Sequence, residues 1–348
     1  MDIPKHSFFL MLFALFSFSG NSQAITSTIL EEYSKQPLES VSVYYDGTTI
    51  GTVTNQLGEF SLSNDIPTQA AIVISYLGYE TRYFNQEQLK ERNTIFLRES
   101  ALSLDAVVLE VDPWSRKKKL NIFRREFLGR EVSAKDCRIL NEADIKLIYQ
   151  PSYNRLIAHC ENPIVIKNRY LGYELRYLLV DFEVQFARGT SGLRFTESVY
   201  LVGSTAFKEL NDKPRKRHLK AREIEYLGSS LQFMRALTRK NLESKKFRCF
   251  INDTVAKSEL FFPVNPYDYL LIKNDNAEFT KVNMNFKKLV VQYDQNRQSA
   301  LIPQDGASEF KIDGFGIHSP PTAVLFSGDF GVKRIATLLP LDYELESP

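Results

Sequence analysis

The residues in the body of this chain best suited to hold a metal or move a proton are His159, His218 and His318. Zinc hydrolysis needs two histidines and a carboxylate converging on one ion. None of the three stands in H-E-x-x-H or H-x-x-E spacing, and His159-Cys160-Glu161 on a strand would send its side chains to alternate faces. A serine nucleophile would call for G-x-S-x-G, but Gly203-Ser204 and Gly228-Ser229 lack the flanking residues. Cys160 beside His159 is not a dyad signature, because such pairs meet in space and not usually in sequence. No phosphate loop or dinucleotide fingerprint is present. Paired carboxylates for glycoside hydrolysis leave no mark in sequence, since their separation belongs to the fold. The expectation is a chain that is not an enzyme and uses neither cofactor nor metal.

Binding chemistry is easier to find. Lys213, Arg215, Lys216, Arg217, Lys220 and Arg222 form a dense cationic cluster at the start of a helical stretch. Cations there oppose the helix macrodipole, so these six are the candidate binding residues, suited to an anionic polymer. A second basic run, Arg116-Lys117-Lys118-Lys119 with Arg124-Arg125, reads as the solvated face of another helix. Tyr44, Tyr45, Tyr149 and Tyr153 lie near turns, where they could stack on sugars or pack in cross-strand pairs. The net charge is only +2, from 44 Lys+Arg and 42 Asp+Glu, so no global field argues for nucleic acid.

The elements that must position these groups are mostly strands. Phe (25) and Tyr (17) are abundant, which suits pleated sheets better than helical bundles. Residues 1–24 read as a signal peptide: Lys5 and His6, an apolar run from Phe8 to Phe18, then Ser22 and Ala24, with cleavage after Ala24. The apolar run is too short to span a bilayer, and no later stretch reaches that length, so no transmembrane segment is expected in the mature chain. Export would place Cys137, Cys160 and Cys249 where disulfides form. An odd count leaves one free; a Cys137–Cys160 bridge and three buried thiols are both open.

Short strands punctuated by turns fill residues 25–112: Ser40–Tyr45, Thr49–Thr54, Glu59–Leu62, Ala71–Tyr76, Thr94–Leu97 and Ala106–Leu109. This spacing indicates a β-sandwich. Three stretches within it, residues 37–43 (PLESVSV), 51–60 (GTVTNQLGEF) and 74–80 (ISYLGYE), resemble the carboxypeptidase-regulatory-like domain. That resemblance implies a non-catalytic, transthyretin-like sandwich of about seven strands, a kind common near the N-termini of exported Bacteroidetes-type envelope proteins, TonB-dependent transporters among them. It covers about a quarter of the chain.

Beyond it, Asp112 and Pro113 predict a helix start and Gly129 its end, giving a linker helix over 113–134. Residues 164–178 (IVIKNRYLGYELRYL) echo residues 72–84 (IVISYLGYETRYF), so a second, degenerate sandwich is expected over 135–210. Ile224, Leu227, Leu231, Met234 and Leu237 give a helix, or a helix pair broken at Gly228-Ser229-Ser230. A β-rich region completes residues 211–348 and ends in an ordered strand and turn over 334–343. The fold class expected is therefore mainly β with helical insertions. The function expected is a non-enzymatic protein, periplasmic or outer-membrane-associated, whose sandwiches bind or brace an envelope partner such as a transporter system; the alternative is a carbohydrate-binding or glycan-processing protein.

Overall fold

The computed structural model describes residues 24–345 apart from 65, 67, 101–110, 189–193, 254–259, 275–278 and 305. The signal-peptide reading up to residue 23 and the strand expected at 106–109 lie outside the described residues. Alternation of apolar and polar residues builds the first unit. In β1 (Ala24–Glu31) Ile25, Ser27 and Ile29 point inward between exposed or half-buried neighbours. The unit continues with β2 (Ser42–Tyr45), β3 (Gly51–Val53), β4 (Glu59–Ser63), β5 (Ile72–Ser75), β6 (Arg82–Phe84), helix α1 (Gln86–Lys90) and β7 (Thr94–Leu97). Three strands ordered β4-β1-β7 face four ordered β3-β2-β5-β6 across one apolar core. The first unit is thus a seven-stranded β-sandwich.

The second unit differs from its expected form. Strands β8 (Cys137–Ile139), β9 (Lys146–Gln150), β10 (Arg155–His159), β11 (Ile164–Asn168), β12 (Tyr173–Arg188) and β13 (Arg194–Glu209) make one six-stranded antiparallel sheet, and among the described residues no second sheet faces it. Its apolar face is covered by helix α2 (Arg116–Leu128), whose Phe123 and Phe127 are fully buried against Tyr177 and Phe182. Helix α2 is therefore part of this core and not a free linker. Its N-cap is Ser115, three residues later than expected, and Gly129 ends it at φ 119°.

The helix pair appears as α3 (Lys216–Tyr226) and α4 (Ser230–Thr238), broken at 227–229. A third core follows. Strands β14 (Phe247–Asp253), β15 (Leu260–Val264), β18 (Leu289–Tyr293), β19 (Arg297–Pro303) and β22 (Val324–Gly328) form one sheet. Strands β16 (Leu270–Asn274), β17 (Thr280–Met284), β20 (Glu309–Ile312) and β21 (His318–Ser319) form the other. Helix α4 contributes Phe233, Met234 and Leu237 to this core.

The three cores are joined by hydrogen bonds. The turn after β2 enters the edge of β13: Thr48 bridges Ala206, Gly47 N–H donates to Thr205 O at 2.7 Å, and Phe207 N–H donates to Thr48 O at 3.0 Å. Residues 335–345 hold no strand beyond a short 3₁₀ turn, contrary to expectation. They still tie all three units. Ile335 and Leu339 enter the second core, Leu341 N–H donates to Gly47 O, and Arg235 of α4 donates to Leu341 O and Tyr343 O.

Candidate functional site

Asp112 precedes α2 and organises the surface around it. Its carboxylate accepts from the Trp114 and Tyr149 backbone amides and from Lys119 Nζ. Burial works against its charge, but these three donors outweigh that and hold its pKa below the usual range. They also place Trp114 face to face with Tyr149, ring centroids 3.7 Å apart, with Phe186 edge-on at 5.4 Å. Beside this stack, α2 and the start of β13 bound a groove of about 720 Å³.

Five cations line the groove: Lys117, Lys118, Arg125, Arg130 and Arg194. Trp114, Phe186 and Phe195 supply aromatic wall, and Phe195 is 54% exposed. Among its described lining residues there is no Asp or Glu. Beneath it Glu126, 4% exposed, accepts from Arg125 Nε, Arg130 Nη2 and Thr196 Oγ1 at 2.7–2.9 Å. Burial raises its pKa, yet the Arg130, Thr196 and Arg125 bonds prevail and leave it lowered. The buried carboxylate thus fixes two guanidinium groups in place while the rim stays cationic. Lys118 Nζ lies 3.9 Å over the Trp114 ring, and Arg194 lies 5.6 Å from Trp114 and 5.4 Å from Tyr149. Across the hairpin Arg194 stands directly opposite Arg188, a like-charge pair that costs stability unless an anion screens it.

The first basic run is accordingly no uniform solvated face. Arg116 donates to the Ile145 and Glu142 carbonyls, Lys119 pairs with Asp112, and Arg124 pairs with Glu142. Lys117 and Lys118 are what remain for a ligand.

The six cations 213–222 are not brought together. Arg222 is 4% exposed and wholly engaged: both terminal nitrogens bind the Glu209 carboxylate, Nε donates to Leu171 O, and the guanidinium lies 3.8 Å over the Tyr173 ring. It is a structural arginine. Lys216 and Lys220 border a depression that also holds Glu209, Glu223, Asp342 and Glu344, so the charges there are mixed. Arg215 and Arg217 turn the other way, toward Lys167, Arg169 and His218. Lys213 is exposed before the helix.

Of the tyrosines, Tyr45 and Tyr149 are buried in cores, and Tyr153, 57% exposed, lies under Arg155. Sequence reading missed the groove because its parts lie about eighty positions apart; the single Trp was the available signal. The three thiols are free and burial pushes them up, Cys137 and Cys249 to about 12 and Cys160 to about 11, so none is a ready nucleophile. His318 is held below its ordinary pKa by burial and sits edge-on to Phe310 and Phe326. Among the described residues no cluster of three His, Cys, Asp or Glu is placed to hold a metal ion. Nor is any described helix long and apolar enough to cross a membrane.

The sandwich with these strands decides the kinship of the first unit. Residues 25–109 match the CarboxypepD_reg-like domain. The chain is also similar to the TonB-dependent receptor P39 of Formosa agariphila, 38% identical over 104 residues. That stretch is 29% of this chain and 10% of the receptor, so the chain spans about a tenth of its relative's length. The CarboxypepD_reg-like domain ends before α2, which leaves the groove outside it.

Proposed function

We propose that this chain is a non-enzymatic protein of the bacterial envelope that binds an anionic glycan in the Trp114 groove. The envelope setting is supported by the CarboxypepD_reg-like domain and by the likeness to a TonB-dependent receptor. The observation that carries the ligand reading is the lining: five cations beside three aromatic rings, with no carboxylate on the described wall. Uronate, sulfate or phosphate groups on a saccharide would meet Lys117, Lys118 and Arg194, while sugar faces pack on Phe195 and the edge of Trp114. Glycan hydrolysis finds no support in this groove, since it requires two carboxyl groups flanking the bond.

The test is titration calorimetry with a uronate oligosaccharide, a sulfated one and a neutral dextran of equal length. The anionic probes should bind and the dextran should not, with affinity falling about tenfold as salt rises fourfold. Combined Lys117→Gln, Lys118→Gln and Arg194→Gln, whose side chains make no hydrogen bond or ion pair among the described residues, should abolish binding. Equal binding of the neutral dextran, or binding indifferent to the triple variant, would overturn the proposal.

A protein partner is the second reading. It rests on the outer face of β12 and β13, where Val180, Tyr200 and Val202 stay exposed. A crosslinked pull-down from envelope fractions that returns one transporter, lost on Tyr200→Ser, would favour it.

A further inference from the structure

A separate cationic pocket lies where α3 begins. Its volume is about 220 Å³, enough for a small anion with one or two waters, and Lys167, Arg169, Arg215, Arg217 and His218 line it. The cations come from two distant stretches, the end of β11 and the start of α3. No Asp or Glu lies among its described lining residues. Lys167, Arg169 and Arg215 form no ion pair in the described structure, and the recorded bond of Arg217 is from Nε to His218 Nε2 at 3.3 Å.

Three further features make this arrangement costly without a counter-charge. Helix α3 starts without a side-chain cap: its N-cap is Arg215, and the amides of Lys216 and Arg217 have no acceptor among the described residues. Its first turn holds no acidic residue, so the helix supplies no negative charge of its own to the positive end of its dipole. The inner wall is the His218 ring, 2% exposed, whose Nδ1 finds no hydrogen-bond partner. That ring packs on Gly172, where a Cβ would come within 2.3 Å of its Nδ1, so only a glycine leaves room for it. Burial first, then Arg217, Arg222 and Arg215, hold His218 below its ordinary pKa against the opposing pull of Glu209.

We propose that this pocket is a binding site for a tetrahedral oxyanion, phosphate or sulfate, held by Arg169, Arg215, Arg217 and Lys167 against the free amides that open α3. Guanidinium forks from two segments and first-turn amides are the donor set that such an anion accepts. The Asn211 side chain at the rim can complete it. The site is distinct from the Trp114 groove and does not depend on the function proposed for it.

The experiment is calorimetric titration of the whole chain with inorganic phosphate and, separately, inorganic sulfate, at ionic strength fixed with chloride. One anion should bind per chain and raise the thermal midpoint. Arg169→Gln, which breaks no recorded hydrogen bond, should weaken binding roughly tenfold or more and remove the anion's effect on the midpoint. The triple groove variant should bind the anion as the parent does. Preference for phosphate would point to a phosphorylated headgroup or metabolite, and preference for sulfate to a sulfated sugar. Heat no greater than that of chloride, or an affinity unchanged by Arg169→Gln, would overturn the proposal.

Discussion

The carboxylate of Asp46, in the turn of the first sandwich, accepts the backbone N–H of Thr205 in the second unit at 2.6 Å. The bond closes a seam in which Gly47 N–H also returns to Thr205 O. Burial is the main influence on Asp46 and raises its pKa, although the Thr205 and Gly47 amides pull the other way. A carboxyl whose folded pKa is raised costs stability once ionised. That cost is absent below the unfolded pKa of about 3.9 and grows as pH rises through the folded value. Asp46→Asn keeps the acceptor without the charge. It should be at least as stable as the parent at neutral pH, with the advantage vanishing in acid; urea midpoints across the pH range measure this. Asp46→Ala should lose about 1–3 kcal/mol because the Thr205 amide is left unpaired.

Glu126 should show the opposite pH dependence. Its pKa is lowered in the fold, so its contribution is present above the unfolded value of about 4.3 and is lost as pH falls through the folded one. Glu126→Gln should cost about 1–3 kcal/mol near neutrality, since two arginines and Thr196 lose a charged acceptor. The gap between parent and variant should close in acid. A gap independent of pH would show that packing, not charge, is what the substitution disturbs.

The two Tyr-Leu-Gly-Tyr-Glu corners should respond unequally to the same change. Gly78 and Gly172 both adopt left-handed φ, 84° and 81°. A Cβ on Gly78 meets nothing within 4 Å, whereas one on Gly172 strikes the His218 ring. Gly78→Ala should cost about 1–2 kcal/mol, the backbone strain alone. Gly172→Ala should cost about 3 kcal/mol or more, strain plus overpacking. Chemical denaturation of the two variants gives the comparison directly.

Arg222 carries a stability prediction in place of a binding one. Arg222→Ala should destabilise by about 3 kcal/mol or more, because Glu209, Leu171 O and the Tyr173 face lose their shared partner. Arg222→Lys should recover only part of this, since an ammonium cannot span both carboxylate oxygens and the carbonyl. Lys213→Gln, at an exposed position, should leave the thermal midpoint unchanged.

The thiols should be slow toward a disulfide reagent in the folded state. Cys160, the half-buried thiol raised least, should react before Cys249, which is 2% exposed. Rapid modification of Cys249 under native conditions would mean that the third core opens far more readily than its packing implies.

Local pattern carried much of the fold. The Gly-containing corners, five of the seven sandwich strands (β2, β3, β4, β5 and β7) and the break between α3 and α4 were legible because each is settled by residues within a few positions, whereas β1 and β6 were not expected. The recurrence of the corner was legible too: in both copies the glycine carbonyl accepts an amide from a later segment, Ser100 for Gly78 and Leu210 for Gly172. What covers each corner was not. The first lies in a sandwich and the second in a single sheet under a helix, because amphipathic strands carry no mark of whether a sheet or a helix will bury them. The candidate site was legible only as charge. Lys216 and Arg222 look alike in sequence, yet one borders solvent and the other is locked to Glu209, because helical spacing sends them to different surroundings. Lys167 and Arg169 gave no signal at all, being placed beside Arg217 by the pairing of β11 with β12 and by the return of the chain after β13.

Residues 335–345 are translated after everything they touch. On the ribosome the sandwich, the six-stranded sheet and the third core emerge in turn, each able to bury its own apolar side chains, while the strap that crosses all three is still missing. The strap therefore reinforces contacts made earlier, the Thr205 seam and the bonds from Thr68 and Gln69 to Asp313, and does not create them. A protease cut before residue 335 would strip Ile335 and Leu339 from the second core and leave Arg235 without its carbonyl partners, while the units stayed joined through the Thr205 seam and through Asp313.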